Sequence, residues 1–250
     1  MAIKDLIKAQ TPAVQMLLHG LGAAQARHPH AEADDLAGRI ATAAECAGIP
    51  TRMITPDSDW WQAVSPMVDW QHSRDESKVI TLQGLQSVTK DAPPDGWASP
   101  VEYLQAKIIA GDTSDCIAGI PGAGLATAAK ILRTAPAGLD GILRGDFAAK
   151  GVVADRLRTD ASRDLLRRNR QIMDWTCAPV HDVDQMALWA YPEDLPTLKR
   201  TAETYGLTRL AGRVKPGMVN NPEHSDLRAV WDVVVTALNW PTPHPDDETA

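Results

Sequence analysis

An α/β core followed by a helix-rich second half is the fold class this sequence predicts, and three observations carry it. Apolar positions recur at helical spacing in several separate stretches. Short β-type runs lie between them at residues 52–55, 68–71 and 78–82. A glycine-punctuated segment, residues 111–124, then separates this first half from a succession of helices. At 250 residues the chain can bury a sizeable core, as one large or two small domains.

Taken in order, Leu6, Ile7, Val14, Leu17, Leu18 and Leu21 place one or two amphipathic helices within residues 3–26. A second helix is predicted from Ala31 to Ala47, stopped by Gly48 and Pro50. Arg52–Thr55 reads as a strand ending at Pro56 and Asp57, with a helical turn over Trp60–Val64 and strands at Val68–Gln71 and Lys78–Leu82. Lys90–Ser99 is a Pro/Gly/Asp-rich loop, and Pro100 is well suited to start the helix that runs to Ala110. Beyond the glycines, helices are predicted at Leu125–Thr134, Asp160–Trp175 and Leu195–Tyr205, with a turn around Pro136–Gly138. The proline- and acid-rich end is predicted to be a tail, so the expected organisation is 1–110, 111–215 and 216–250.

No apolar run approaches the roughly 18–20 residues that span a bilayer, and no signal peptide opens the chain. The cysteines (46, 116 and 177) lack metal-type spacing and are odd in number, which points to reduced thiols in a cytoplasm and to no membrane partner. The net charge of −7 argues at first sight against a polyanionic partner. Its distribution removes the objection. Residues 1–140 carry 11 Lys+Arg against 16 Asp+Glu, whereas residues 141–215 carry 13 against 10. The excess acid and the excess base occupy different parts of the chain.

That acid falls into three short groups. Glu32 and Asp35 are three apart on one helical face, with Asp34 rotated by about 100°. Asp57 and Asp59 follow a strand end, where ligands collect in open α/β sheets. Asp112 and Asp115 sit one helical turn apart just ahead of the glycines. Each group alone has a bland reading, as helix-dipole acid or turn sequence. Gathered together, like charges of this density need a cation, and oxygen-only ligands select a hard one, Mg²⁺ or Mn²⁺. Two such ions about 4 Å apart support hydrolysis of a phosphodiester. Gly119, Gly122 and Gly124 allow close approach of a phosphate to backbone amides, and the following helix brings its N-terminus, Thr127 and Lys130 to the same anion. A tight helix–helix connection is the bland alternative for the glycines. Arg163, Arg167, Arg168 and Arg170 crowd one helix, as a solvated face or as phosphate contacts, and Trp60 and Trp61 read as packing or as base-stacking rings.

These motifs carry a resemblance. Gly111–Leu132 resembles the helix–three-turn–helix segment of the 5′-nuclease family, the bacteriophage 5′→3′ exonucleases, flap endonucleases and 5′-nuclease domains of DNA polymerase I. Glu32-Ala33-Asp34-Asp35, Asp57-x-Asp59 and Gly111-Asp112-x-x-Asp115 match the family's acidic motifs in order and rough spacing, over about residues 31–175. The resemblance implies a truncated PIN-like nuclease core over residues 1–110, two divalent ions, and duplex DNA held by the glycine loop of residues 111–215, with K⁺ bound through loop carbonyls. Carried over by position, Glu32, Asp34 and Asp57 would lie nearer the first metal and Asp35, Asp59, Asp112 and Asp115 nearer the second. Asp34, Asp57 and Asp112 would be the catalytic carboxylates.

Two departures are small: Cys116 stands where Asn is usual, and Ala118 where Pro is common. A larger one lies in front. Family members open with a strand ending in a catalytic Asp, a second Asp motif and a basic arch, and this chain has about 30 residues there with Asp5 as their one acid. The expectations are therefore three: a separate small N-terminal nuclease polypeptide supplies the missing ligands, the gene start is misplaced, or the protein binds without cutting. The function implied is Mg²⁺-dependent 5′→3′ exonuclease or flap endonuclease action on DNA, in the cytoplasm of a bacterial host cell. The alternative is a non-catalytic, structure-specific DNA-binding protein.

Overall fold

The computed structural model of the chain describes residues 3–88, 91–177, 187–189 and 194–215. It divides into one unit of residues 1–36 with 181–250 and another of residues 37–180. The first unit opens with α1 (Ile3–Gly20) and the three-residue β1 (Gln25–Arg27). The helical periodicity of residues 3–26 is therefore cut short. Gly22, at φ 70°, closes α1 with paired bonds from Gly22 N–H to the His19 carbonyl and Ala23 N–H to the Leu18 carbonyl, a Schellman stop. Helix α2 (Ala33–Cys46) begins in this unit and continues into the next.

The second unit holds a mixed three-stranded sheet. Strands β2 (Thr51–Ile54) and β3 (Val68–His72) are parallel, Thr51 opposite Val68, and β4 (Asp75–Ile80) returns antiparallel to β3. A 3₁₀ turn (Ser58–Ala63) follows β2, and the single-turn α3 (Leu82–Leu85) follows β4. Then come α4 (Pro100–Ala110), α5 (Leu125–Leu132), α6 (Gly138–Arg144), α7 (Val152–Leu157) and α8 (Asp160–Met173), with a last 3₁₀ turn at Trp175–Cys177. Helix α6 starts at the expected Pro136–Gly138 turn, and neither it nor α7 was foreseen. Both are too short for a hydrophobic period to declare itself.

Helix α4 is the spine of this unit. Ser99 accepts a hydrogen bond from Glu102 N–H at 3.0 Å and caps it, Pro100 pre-sets its first turn, and Tyr103, Ala106, Ile108 and Ile109 are buried. Around it pack Leu85, Trp97, Leu139, Ile142, Leu157 and Leu166, each contributing about 1.5–3 kcal/mol of apolar burial. A smaller core of Ala41, Met53, Val64, Val68 and Trp70 backs the sheet. Arg133 ties the two ends of this region together, bonding Asp95, the Gly96 carbonyl and the buried Glu102.

The first unit resumes with β5 (Ala187–Trp189), antiparallel to β1, then α9 (Leu195–Thr204), capped by Asp194, and α10 (Thr208–Ala211). Helix α9 packs on α1 at Gly20, where a Cβ would lie 2.7 Å from that of Leu198. No helix among the described residues is long and apolar enough to cross a membrane. All three cysteines are free and exposed. Residues 216–250, including Trp231 and Trp240 and the expected tail, lie outside the described residues.

Candidate metal centre and glycine loop

Asp57 and Asp59 sit where the sequence placed them, just past β2. Asp57 Oδ1 accepts from Asp59 N–H at 2.9 Å and caps the 3₁₀ turn, while its carbonyl accepts from Trp70 Nε1 at 2.8 Å. The turn is pinned from inside by Trp61, whose ring meets Trp70 at 5.6 Å and Tyr103 at 5.0 Å. Trp60 meets Trp175 edge-on at 5.7 Å. The packing role is thus the one these tryptophans fill. Gln62 anchors the same turn at a distance: its Nε2 donates to the Asp59 carbonyl (3.1 Å) and the Met173 carbonyl (3.2 Å), and its Oε1 accepts from Trp175 N–H (3.1 Å).

Helix α4 delivers the other acids. Gly111, at φ 75°, turns the chain so tightly that a Cβ there would press on Ala118 and Ile117. Asp112 and Ile117 then exchange backbone bonds at 2.9 and 2.7 Å, closing a small hairpin. Within it Asp112 Oδ1 accepts from Ser114 N–H (2.9 Å) and from the Ser114 hydroxyl. The consequence is that Asp59, Asp112 and Asp115 each bring a carboxylate oxygen within 4.8 Å of the others'. Asp115 is exposed, Asp112 and Asp59 half-buried.

Between the latter two lies Lys107, which sequence reasoning missed. Its side chain is 9% exposed, and its ammonium donates to Asp112 Oδ2 at 2.7 Å and to Asp59 Oδ1. Burial works to lower the pKa of this ammonium, but the Tyr103 phenol and the hydrogen bonds to Asp112 and Asp59 outweigh it and hold it above the ordinary lysine value. Burial also works against the ionised Asp112. The bonds from Lys107 and Ser114 prevail there and bring its pKa down to about 2. Asp59 goes the other way: burial raises it, Lys107 opposes, and the like charges of Asp57 and Asp112 add to the rise. One ammonium shared between two acids, beside a third, leaves the group short of positive charge. A lysine interrupting the apolar run of α4, five residues ahead of Asp112, was the available signal.

The expected site residues fall in both units. Asp59, Asp112 and Asp115 converge, and Asp57 neighbours Asp59 as its cap. Glu32, Asp34 and Asp35 belong to the first unit, where Asp35 Oδ2 accepts from Glu32 N–H at 3.2 Å at the opening of α2. The glycines also divide. Gly119 is held flat against the end of α4, where a Cβ would collide with the Ala110 carbonyl, so close packing accounts for it. Gly122, at φ 83°, would bring a Cβ only into ordinary contact with the Arg156 and Val153 side chains, and Gly124 faces open space. Gly124 caps α5 without a side-chain bond, and Thr127 and Lys130 are exposed along the same helix.

Asn169 of α8 is the second residue the sequence reading passed over. It is fully buried, and its Nδ2 donates to the carbonyls of Ile108 (3.0 Å) and Ala118 (2.8 Å). Helix α4 needs this bond. Its Lys107 carbonyl takes Gly111 N–H and its Ile109 carbonyl takes Ile120 N–H, but Asp112 N–H is spent on Ile117, leaving Ile108 without an intrahelical donor. Arg168 donates to Asn169 Oδ1 at 3.2 Å and orients the amide. Leu166, Asn169 and Met173 form the buried stripe of α8, and an asparagine on that stripe was the signal. Arg156 of α7 braces the loop again at the Pro121 carbonyl, 2.5 Å away. The remaining arginines of α8 are engaged with acids: Arg163 with Asp160, Arg167 with Asp164, Arg170 with Asp140 and Asp174.

Three comparisons bear on this arrangement. A family model described as the 5′-3′ exonuclease N-terminal resolvase-like domain matches residues 2–90. DNA polymerase I of Mycobacterium tuberculosis is 31% identical over 170 residues, 68% of this chain and 18% of that protein. The chain therefore spans about a fifth of the length of such curated relatives. Among solved structures, a mutant of bacteriophage T5 5′-exonuclease superposes with a TM-score of 0.50 at 21% identity, over 72% of this chain and 66% of that one. The T5 flap endonuclease, in a pseudo-enzyme-product complex with DNA and metal ions, has the same TM-score at 18% identity, over 81% and 60%. The fold is shared: a small mixed sheet and many helices.

Proposed function

This chain belongs to the 5′-nuclease family, and from that premise we propose that it is a Mg²⁺-dependent 5′→3′ exonuclease or flap endonuclease acting on DNA. The observation that carries the reading is the convergence of Asp59, Asp112 and Asp115 beside a braced glycine loop. An all-carboxylate donor set of this spacing fits a hard divalent ion, Mg²⁺ or Mn²⁺, and contains none of the thiolate or imidazole that would favour zinc. Two such ions, when bound, activate a water and stabilise the departing 3′-oxygen of a phosphodiester.

The residues of the chain do the rest. Asp59, Asp112 and Asp115 hold the cation, Ser114 fixes the rotamer of Asp112, and Asp57 and Gln62 keep the Asp59 turn in register. Glu32, Asp34, Asp35 and Asp57 enter this reading as further ligands on the strength of the family pattern. In a helix–three-turn–helix reading of residues 111–132, Gly122, Gly124, Thr127 and Lys130 receive the backbone of duplex DNA, Gly119 sets the close packing beneath them, and K⁺ on loop carbonyls adds charge. We keep the functional division at residue 110, metal core before and DNA-binding helices after, and infer a cytoplasmic, bacterial setting.

The test is a 5′-labelled flap duplex incubated with the chain in Mg²⁺ or Mn²⁺, with a chelator control. Cutting by the chain that is lost in Asp112→Ala and Asp59→Ala supports the enzyme, and loss in Glu32→Ala, Asp34→Ala, Asp35→Ala and Asp57→Ala extends the ligand set. Cutting that appears only with a companion N-terminal nuclease polypeptide assigns the activity to the pair. Flap binding without cutting under every condition overturns the enzymatic reading in favour of structure-specific DNA binding.

A further inference from the structure

Lys107 has no role in the chemistry above, yet it occupies the centre of the acidic group. Its ammonium engages Asp59 Oδ1 and Asp112 Oδ2 together, and Ser114 takes the other oxygen of Asp112. Neither oxygen of Asp112 is therefore uncommitted. Asp115, the exposed member of the trio, makes no ion pair among the described residues. A divalent ion approaching from solvent meets Asp115 first, and on Asp59 and Asp112 it finds one oxygen of each, Asp59 Oδ1 and Asp112 Oδ2, already holding the ammonium. The two cations cannot share them cheaply, since like charges a few ångströms apart in a partly buried site repel strongly.

We propose that Lys107 is a resident counter-ion that competes with the divalent metal for Asp59 and Asp112, so that it holds the empty centre together and sets the metal concentration at which the centre fills. The inference rests on the metal reading of this site and adds its regulation. Three carboxylates without any cation would repel one another, and the lysine relieves part of that repulsion when the metal is absent. On filling, the ammonium must leave both oxygens. The built-in cation thus lowers metal affinity in exchange for a folded, metal-free state.

The experiment uses the full chain stripped with chelator, with Mn²⁺ binding followed by electron paramagnetic resonance of the free ion. Lys107→Met is expected to bind Mn²⁺ about tenfold more tightly than the wild type, the equivalent of one partly buried ion pair removed from competition. It should also melt at a lower temperature without metal and show a larger rise on adding Mn²⁺, whereas Lys107→Arg keeps the weaker binding. A second measurement needs no variant: acetylation of Lys107 in the wild-type chain, read by mass spectrometry, should increase on adding Mn²⁺ as the ammonium is released. Equal or weaker Mn²⁺ binding by folded Lys107→Met, or Lys107 equally protected with and without metal, overturns the proposal while leaving the metal site intact. A wild-type chain that binds no Mn²⁺ overturns the metal reading itself.

Discussion

Removing the Asn169 amide should cost the second unit more than any surface change could. In Asn169→Leu the side chain keeps its approximate volume, but the carbonyls of Ile108 and Ala118 lose their donor, and the fully buried position admits no water to replace it. A buried acceptor left unpaired costs about 1–3 kcal/mol, so two cost about 2–6 kcal/mol, against roughly 5–15 kcal/mol for a whole domain. With a urea slope of about 2–3 kcal/mol per molar, the midpoint should fall by about 0.7–3 M. Asn169→Asp separates hydrogen bonding from packing. An ionised carboxylate aims a third acceptor at the two carbonyls, so its loss is at least as large at neutral pH and shrinks on acidification, when a proton becomes available to donate. Urea unfolding followed by tryptophan fluorescence reads both. Should Asn169→Leu unfold within about 0.3 M of the wild type, the idea that one amide terminates α4 and holds the loop is wrong.

Two further outcomes follow from the same geometry. Cys116 holds φ 59°, a left-handed conformation that asparagine adopts more readily, so Cys116→Asn should raise stability by about 0.5–1 kcal/mol in thermal unfolding, and a lower melting temperature would contradict it. Asp112, brought from 3.8 to about 2, binds its proton more weakly folded than unfolded, so its stabilisation is complete above about pH 4 and is lost as pH falls towards 2; in chelator-treated Lys107→Met the folded value lies closer to the unfolded one, so urea unfolding between pH 5 and 2.5 should show a smaller loss that ends at a higher pH, while Asp59, shifted upward, contributes in the opposite sense.

Much of this was readable from the chain. The spacing of apolar residues located α4, α5, α8 and α9 to within two or three residues, because long amphipathic helices carry their period openly. The Asp-x-Asp after β2 and the acids before the glycine loop were recognisable as a converging set because each stands at the end of an element. Lys107 and Asn169 were harder. Each is a polar residue on a buried face, and its meaning depends on partners contributed by other segments, Asp59 in one case and Ala118 in the other. The β1–β5 pairing was hidden for a related reason: three-residue strands more than 150 positions apart in sequence leave no local pattern. The glycines illustrate the limit of residue type alone. Gly119, Gly122 and Gly124 look alike in sequence, yet only the first is crowded by backbone.

Helix α8 grips the loop through Asn169 and, one turn on, meets Gln62 at the Met173 carbonyl, from which Gln62 also reaches the Asp59 carbonyl. Four helical residues advance about 6 Å. The interval between the glycine loop and the Asp59 turn is thus gauged by the protein, like jaws mounted on a single bar. Lengthening that bar by one residue would rotate one jaw out of line with the other, which makes the stretch from Asn169 to Met173 intolerant of insertion even though its outward face is free to vary.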